Sequence, residues 1–272
     1  MTAPDAWETM AAVWLDGQPQ RLWRRHSDRV NAALVERWLP PVASVLKTDL
    51  FDEAVGEGLY PVLAKRAERV VGIDASERVV TAAGRRYPLL EAVFADVRSL
   101  PLGDAEVDAV VSNSTLDHFD TPAEIELALH ELHRVVRPGG LLLLTLDNPL
   151  NPAVAVTKAL PRSQLNRLWS RFGVESARGG LVPYYVGATL GPRRLRASLR
   201  RAGFEPLELS ALVHFPRIVA VVAGRRMERR RSPAVERRFL ELLWRAERLG
   251  SLPTRYVTGH FLAVKALRRA PR

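Results

Sequence analysis

The residues of this chain best suited to chemistry are acids at the ends of apolar runs, and one histidine that follows such a run. Asp74 closes the run Val70-Val71-Gly72-Ile73, which is preceded by another apolar run over 42–50. Two such strands joined by a helix make a βαβ unit, and an acid at the carboxyl end of the second strand can take both hydroxyls of a ribose. Gly56 lies about twenty residues before it, the separation of a dinucleotide-binding turn. Asn113 and Ser114 stand just past another run, 107–112, where the order of strands in such a sheet reverses. His118 follows, with an imidazole whose ordinary pKa near neutrality suits a general base on an acceptor hydroxyl.

These residues need a frame, and the pattern supplies it. The strand over 42–50 leads into a crossover helix expected over 53–67, and a second helix over 76–87 is capped by Ser76 and stopped by Pro88. A third strand, 92–95, ends at Asp96. Thr121-Pro122-Ala123-Glu124 opens a helix with a capping box, and Ile125, Ala128, Leu129, Leu132 and Val136 form its apolar stripe. Pro138-Gly139-Gly140 ends that helix before a fully buried strand over 141–146. A helix over 192–202 with Gly203 just past its end precedes a sixth strand at 204–213, and the seventh is expected at 256–267.

The order of these segments resembles the class I S-adenosylmethionine-dependent methyltransferases, of the methyltransferase type 11 kind. The resemblance rests on Val70 to Asp74, on Ala95-Asp96-Val97, on LPLGDAEVDAVVSNSTLDHF at 100–119 and on ELHRVVRPGGLLLLTL at 131–146. It implies a Rossmann-like seven-stranded, mostly parallel α/β sheet with helices on both faces, and S-adenosyl-L-methionine as cofactor. It also implies Asp74 with Ala75 at the ribose, and Asp96 with Val97 at the adenine. Asn113 and Ser114 would stand where the methionyl part meets the acceptor. In the family a histidine at the position of His118 also occurs without proton transfer. The sequence departs from the family at the first loop, usually of the type D/E-x-G-x-G-x-G. Here residues 49–58 read DLFDEAVGEG, glycine-poor, leaving Asp49, Asp52 and Gly56 for the methionyl end.

Outside this unit, residues 1–41 read as an N-terminal helical lid, with helices over 5–15 and 20–39, and 42–272 as the methyltransferase domain. Trp14, Trp23, His26 and Asn31 are candidates for the substrate side; packing of these aromatics on the sheet is the alternative. An insertion at 148–190 contains a helix expected over 163–172 and the acceptor-pocket candidates Tyr184 and Tyr185. A second insertion, 214–255, joins an apolar run at 218–223, the cluster RRMERRR at 225–231 and an amphipathic helix over 234–249.

Charge is unevenly placed along the chain. Residues 1–192 hold 20 basic and 24 acidic side chains, whereas 193–272 hold 20 and 6. The basic region 217–248 suits an anionic partner or a membrane surface; a homodimer interface or a cap over the acceptor pocket is the alternative, and an arginine-rich genome alone would produce the excess. With no cysteine, disulfides, thiolate nucleophiles and cysteine-held metal sites are excluded, and no metal site is expected. No leader and no apolar stretch long enough for a bilayer is evident, so a cytoplasmic protein, peripheral at the membrane if the basic region so acts, is expected. The expected activity is methyl transfer to a small-molecule or lipid-like acceptor. A non-catalytic scaffold that has lost the cofactor is one alternative. Nucleic-acid methylation is the other, disfavoured because no base-flipping tetrapeptide or RNA-binding module is present.

Overall fold

The computed structural model describes residues 8, 11–12, 15, 20–160, 164, 187–230 and 232–270. Seven strands make one sheet: β1 Val42–Lys47, β2 Ala67–Asp74, β3 Glu91–Phe94, β4 Val107–Asn113, β5 Val136–Asp147, β6 Phe204–Leu212 and β7 Phe261–Arg268. Their order is β3-β2-β1-β4-β5-β7-β6. β1 to β5 pair in parallel, and β7 runs antiparallel between β5 and β6. The order therefore reverses between β1 and β4, and a crevice opens beyond their carboxyl ends.

Ten α-helices are described: α1 Arg21–Trp38, α2 Phe51–Val55, α3 Tyr60–Leu63, α4 Glu77–Arg86, α5 Pro122–Val135, α6 Pro152–Ala159, α7 Pro192–Arg201, α8 Arg217–Arg230, α9 Pro233–Ala246 and α10 Arg255–Thr258. Leu46, Val110, Leu142 and Leu144 face α5 and α7 in one core, where Ile125, Leu129, Leu195 and Leu199 are fully buried. Val45, Val70, Ala109 and Leu143 face the other core, formed with α1 and α4 through Leu34, Trp38, Val79 and Ala83. A smaller core joins the first half of α1 to α8 and α9 through Leu22, Trp23, Val221, Phe239 and Leu243. Thr121 caps α5 in the expected box with Glu124. Gly203, at φ 94, turns the chain out of α7.

The connection from β1 to β2 differs from the expected single helix. β1 stops at Lys47, not at Leu50, and the crossover is two short helices, α2 and α3. The cause is Glu53. Its Oε1 accepts from the backbone N–H of Leu59 at 2.7 Å and of Tyr60 at 3.1 Å, folding the chain back over α2. Gly58 makes the turn at φ 61, and a Cβ there would lie 2.5 Å from the Glu53 carboxyl. The other carboxylate oxygen pairs at 2.8 Å with Lys47 Nζ, which also donates to the carbonyl of Asp49. Both side chains are essentially out of solvent.

Other boundaries shift for similar local reasons. The helix before β5 ends at Val135, so Pro138-Gly139-Gly140 lies inside β5 as it begins to pair with β4. The apolar run at 218–223 and the arginines after it as far as Arg230 are one helix, α8, because the run packs on α1. The amphipathic helix is α9, followed by a 3-10 turn over Glu247–Ser251. The last strand begins at Phe261, because 255–258 coils into α10. The expected helix over 163–172, and all but a few residues of that over 5–15, lie outside the described residues.

Two substitutions test this frame. A Cβ on Gly140 would stand 2.6 Å from the carbonyl oxygen of Asp108, so Gly140→Ala is expected to cost about 2 kcal/mol in urea unfolding. Lys47→Met strands the Glu53 carboxylate and is expected to cost about 3–5 kcal/mol. The double variant Lys47→Met/Glu53→Gln, which keeps an oxygen for the Leu59 and Tyr60 amides, is expected to be the more stable of the two.

Candidate functional site

The carboxyl ends of β1, β2 and β4 meet at the reversal of strand order. Beyond β1, Thr48 Oγ1 donates to Ser112 Oγ at 2.9 Å and lies 2.8 Å from Thr115 Oγ1, tying the first loop to the segment after β4. Leu50 is fully buried, its methyl filling the space that Gly72 leaves open in β2. This packing brings the backbone of the loop onto Asp74. Asp74 Oδ2 accepts from Leu50 N–H at 3.0 Å and Oδ1 from Ser76 N–H at 2.9 Å. The carboxylate is thereby fixed at the end of β2 with lone pairs to spare, since an ionised carboxylate offers about four acceptor positions.

Around the loop the charge is predominantly acidic. Asp49 Oδ1 accepts from Phe51 N–H at 2.8 Å. Asp52 stands in the first turn of α2. Burial, then the neighbouring Asp49, pushes the Asp74 carboxyl up to about 7 and that of Asp52 up to about 6. Asp28, reaching in from α1, is raised to about 8 by burial and then by Asp52. Against these stand Lys47 and Arg24. Burial alone would lower the Lys47 ammonium, but Glu53 and then Asp49 outweigh it and leave it above its ordinary value. Arg24 Nη1 donates to the carbonyl of Val55 at 2.8 Å, and a Cβ on Gly56 would lie 3.3 Å from that guanidinium. α1 thus closes directly on the loop.

At the end of β3, Asp96 is held by Arg98 through its backbone N–H and guanidinium. Burial opposes ionisation, but these bonds prevail and the carboxyl titrates below its ordinary value. The same guanidinium lies 4.8 Å over the ring of Phe119. Val97 is buried beside it, while Ala75, next to Asp74, is exposed.

A second polar cluster sits past β4 and β5. Ser114, at φ 52, directs its hydroxyl to both oxygens of Asp117, at 2.9 and 3.2 Å. Asn113 Oδ1 accepts from Thr145 Oγ1 at 2.9 Å. Asp117 Oδ2 also accepts from Asp147 N–H at 2.7 Å. The Asp147 carboxyl is pushed up to about 7, by burial and then by Asp117. His260 Nε2 lies 3.7 Å from Asp147 Oδ1, and burial, with Arg217 adding to it, holds that imidazole down at about 3 and therefore neutral. Trp23 of α1 meets the His260 ring edge-on at 6.2 Å, with the Arg217 guanidinium 5.6 Å from the indole. His118 is half-buried on the turn that carries Asp117, within electrostatic reach of Asp147.

Asp49, Asp52, Gly56 and Asp74 are therefore brought together around one loop, and Asn113, Ser114 and His118 share the neighbouring turn. His26 is not among them. It is buried behind Trp23, with Nε2 3.4 Å from Glu247 Oε1. Trp14, Tyr184 and Tyr185 lie outside the described residues. Sequence reasoning missed Lys47, Glu53, Asp28, Asp117 and Asp147. A glutamate five residues before Gly58 was the available sign of Glu53, and a lysine inside an otherwise apolar run that of Lys47.

Comparison with known proteins agrees with the fold. Residues 51–144 match the family model described as a methyltransferase domain. A probable S-adenosylmethionine-dependent methyltransferase of Mycolicibacterium smegmatis is 33% identical over 138 residues, covering 47% of this chain and 52% of that protein. A malonyl acyl-carrier-protein O-methyltransferase of Enterobacter lignolyticus is 31% identical over 177 residues, covering 64% and 66%. Among solved structures, a methyltransferase in complex with the Haloferax volcanii Trm112 activator aligns over 99% of both chains with a TM-score of 0.58 at 17% identity, a likeness of fold. The chain spans about half the length of the M. smegmatis relative, and less of others that it matches. From the matched domain, the relatives and the strand order together, residues 51–144 form a methyltransferase domain, and the chain has the fold of the class I S-adenosylmethionine-dependent methyltransferases.

Proposed function

We propose that the chain transfers a methyl group from S-adenosyl-L-methionine to a small or lipid-like acceptor. The observation that carries this reading is Asp74, a carboxylate fixed by two backbone amides at the end of β2, beside a loop rich in other carboxyls. The donor set suits the cofactor. Two ribose hydroxyls can donate to Asp74 with Ala75 alongside, and the adenine can reach Asp96 and the Val97 backbone. Asp49, Asp52 and the Gly56 backbone present negative charge and a narrow wall to a methionyl end that carries a sulfonium and an ammonium. Transfer from a sulfonium needs chiefly that the acceptor be held in line and water kept out, so orientation can supply most of the rate.

On this reading the acceptor lies past β4 and β5, next to Asn113 and Ser114 and under α1. His118 there takes the proton of an acceptor hydroxyl, with Asp147 as a second basic group. Tyr184, Tyr185 and Trp14 remain the acceptor candidates that the sequence offers, whereas His26, buried behind Trp23 and facing Glu247, is set aside. Lys158, whose ammonium lies within electrostatic reach of Asp147, and Arg217 would favour an acceptor with an acidic group. The E. lignolyticus relative is named for a malonyl acceptor, which is of that kind.

Calorimetric titration with S-adenosylhomocysteine tests the reading. Asp74→Ala is expected to weaken binding by about 100-fold, two hydrogen bonds to a charged group being lost. If the intact chain does not bind, the scaffold alternative holds. The pH dependence has a definite sign. The ribose hydroxyls require the ionised carboxylate, and burial holds Asp74 near 7 in the free chain. Affinity should therefore rise roughly tenfold between about pH 6 and pH 8, with proton release that titrations in buffers of different ionisation enthalpy would register.

A further inference from the structure

The segment 217–248 holds ten arginines and four glutamates, and the fold separates the two signs. Every one of the four glutamates is taken up by α1 or by the body of the domain. Glu228 accepts from the backbone N–H of Leu22 at 2.9 Å, and Glu236 pairs with Arg21 at 2.5 Å. Glu241 pairs with Arg29 at 2.8 Å, and Glu247 accepts from the N–H groups of Val213 and His214, both at 3.0 Å. Arg226, Arg229, Arg237, Arg238, Arg245 and Arg248 are exposed and make no salt bridge among the described residues. An arginine excess arising from composition alone would leave acids and bases mixed on the same surface. Here the acids fasten the helix pair to α1 and the outward face is left cationic.

That face also carries apolar side chains. Along α9 and the 3-10 turn that continues it, Arg238, Leu242, Arg245, Leu249 and Leu252 recur at spacings of three and four. Leu242 is 52% exposed and Leu252 45%. The aromatics of α9 point elsewhere, Phe239 being buried and Trp244 lying under the Arg29 guanidinium at 4.1 Å. A single-stranded nucleic acid would call for exposed aromatic platforms. Leucines set between arginines are what an anionic bilayer surface requires, apolar groups entering the interface while cations meet phosphate headgroups. No helix among the described residues is long and apolar enough to cross a membrane, so contact would be from one side.

We infer that the outward face of α9 and its continuation docks the domain on an anionic lipid surface. This is independent of the proposed methyl transfer, and its test uses no cofactor. The full chain is sedimented with vesicles of phosphatidylcholine alone, or of phosphatidylcholine with about a third phosphatidylglycerol, at two salt concentrations. Partition to the anionic vesicles only, weakened by salt, is expected. The triple variant Arg237→Gln/Arg238→Gln/Arg245→Gln should lose about 100-fold, at roughly fivefold per arginine, and Leu242→Ser about tenfold. Thermal melts of both variants, whose altered side chains are exposed, should match the parent. Equal partition to both vesicles, no partition to either, or an unchanged triple variant would overturn the proposal. An unaffected Leu242→Ser would also overturn it, by reducing the face to a general polyanion contact such as RNA.

Discussion

Taking an ammonium and a carboxylate out of water costs several kcal/mol for each, and the pair holds only if its remaining hydrogen-bonding positions are filled. Lys47 and Glu53 fill most of those positions directly beneath the crevice. The ammonium is shared between Glu53 and the Asp49 carbonyl, and the carboxylate between the ammonium and the amides of Leu59 and Tyr60. The consequence is a first loop folded around a charged core, where the family commonly relies on glycine to let the backbone approach the ligand. Leu50 is then seated on Gly72, its amide reaches Asp74, and the crevice takes shape from there.

The same pair explains why so much acid collects nearby. Lys47 is a nearby buried cation for Asp49, Asp52 and Asp74, and Arg24 of α1 supplies a second. Their two charges do not balance the surrounding carboxyls, several of which burial holds protonated into the neutral range. A cationic ligand would complete the balance, and that links the loop to the sulfonium of the proposed cofactor. The outer face of α8 and α9 has the opposite sign, since its glutamates are spent on holding α1. One helix, α1, therefore touches both regions, closing on the loop through Arg24 and Asp28 and anchoring the basic pair through Arg21, Leu22 and Arg29.

Much of this is legible in the sequence. β2 and Asp74 could be read because a short β-branched run ending in an acid is the pattern of a buried parallel strand that reaches a crevice. The capped start of α5 and the glycine after α7 carry local signatures that tertiary structure did not override. The loop itself was not legible. Its helical pattern runs through Glu53, and nothing local shows that this side chain will hold a turn at Gly58 that interrupts the helix after Val55. Lys47 reads as an interruption in a strand because its partner lies six residues on, across a turn. α8 was hidden by charge: RRMERRR looks like a solvated turn until the apolar run before it is packed on Leu22 and Phe239. Asp117 and Asp147 are ordinary acids in sequence, and only the pairing of β4 with β5 sets one against the backbone of the other.

The most direct measurement is a crystal structure of the chain with S-adenosylhomocysteine. The account predicts ribose hydroxyls on Asp74, adenine beside Asp96 and Val97, and the Lys47–Glu53 pair unbroken beneath the ligand. A ligand seated elsewhere, or a loop rebuilt with Lys47 withdrawn from Glu53, would contradict it.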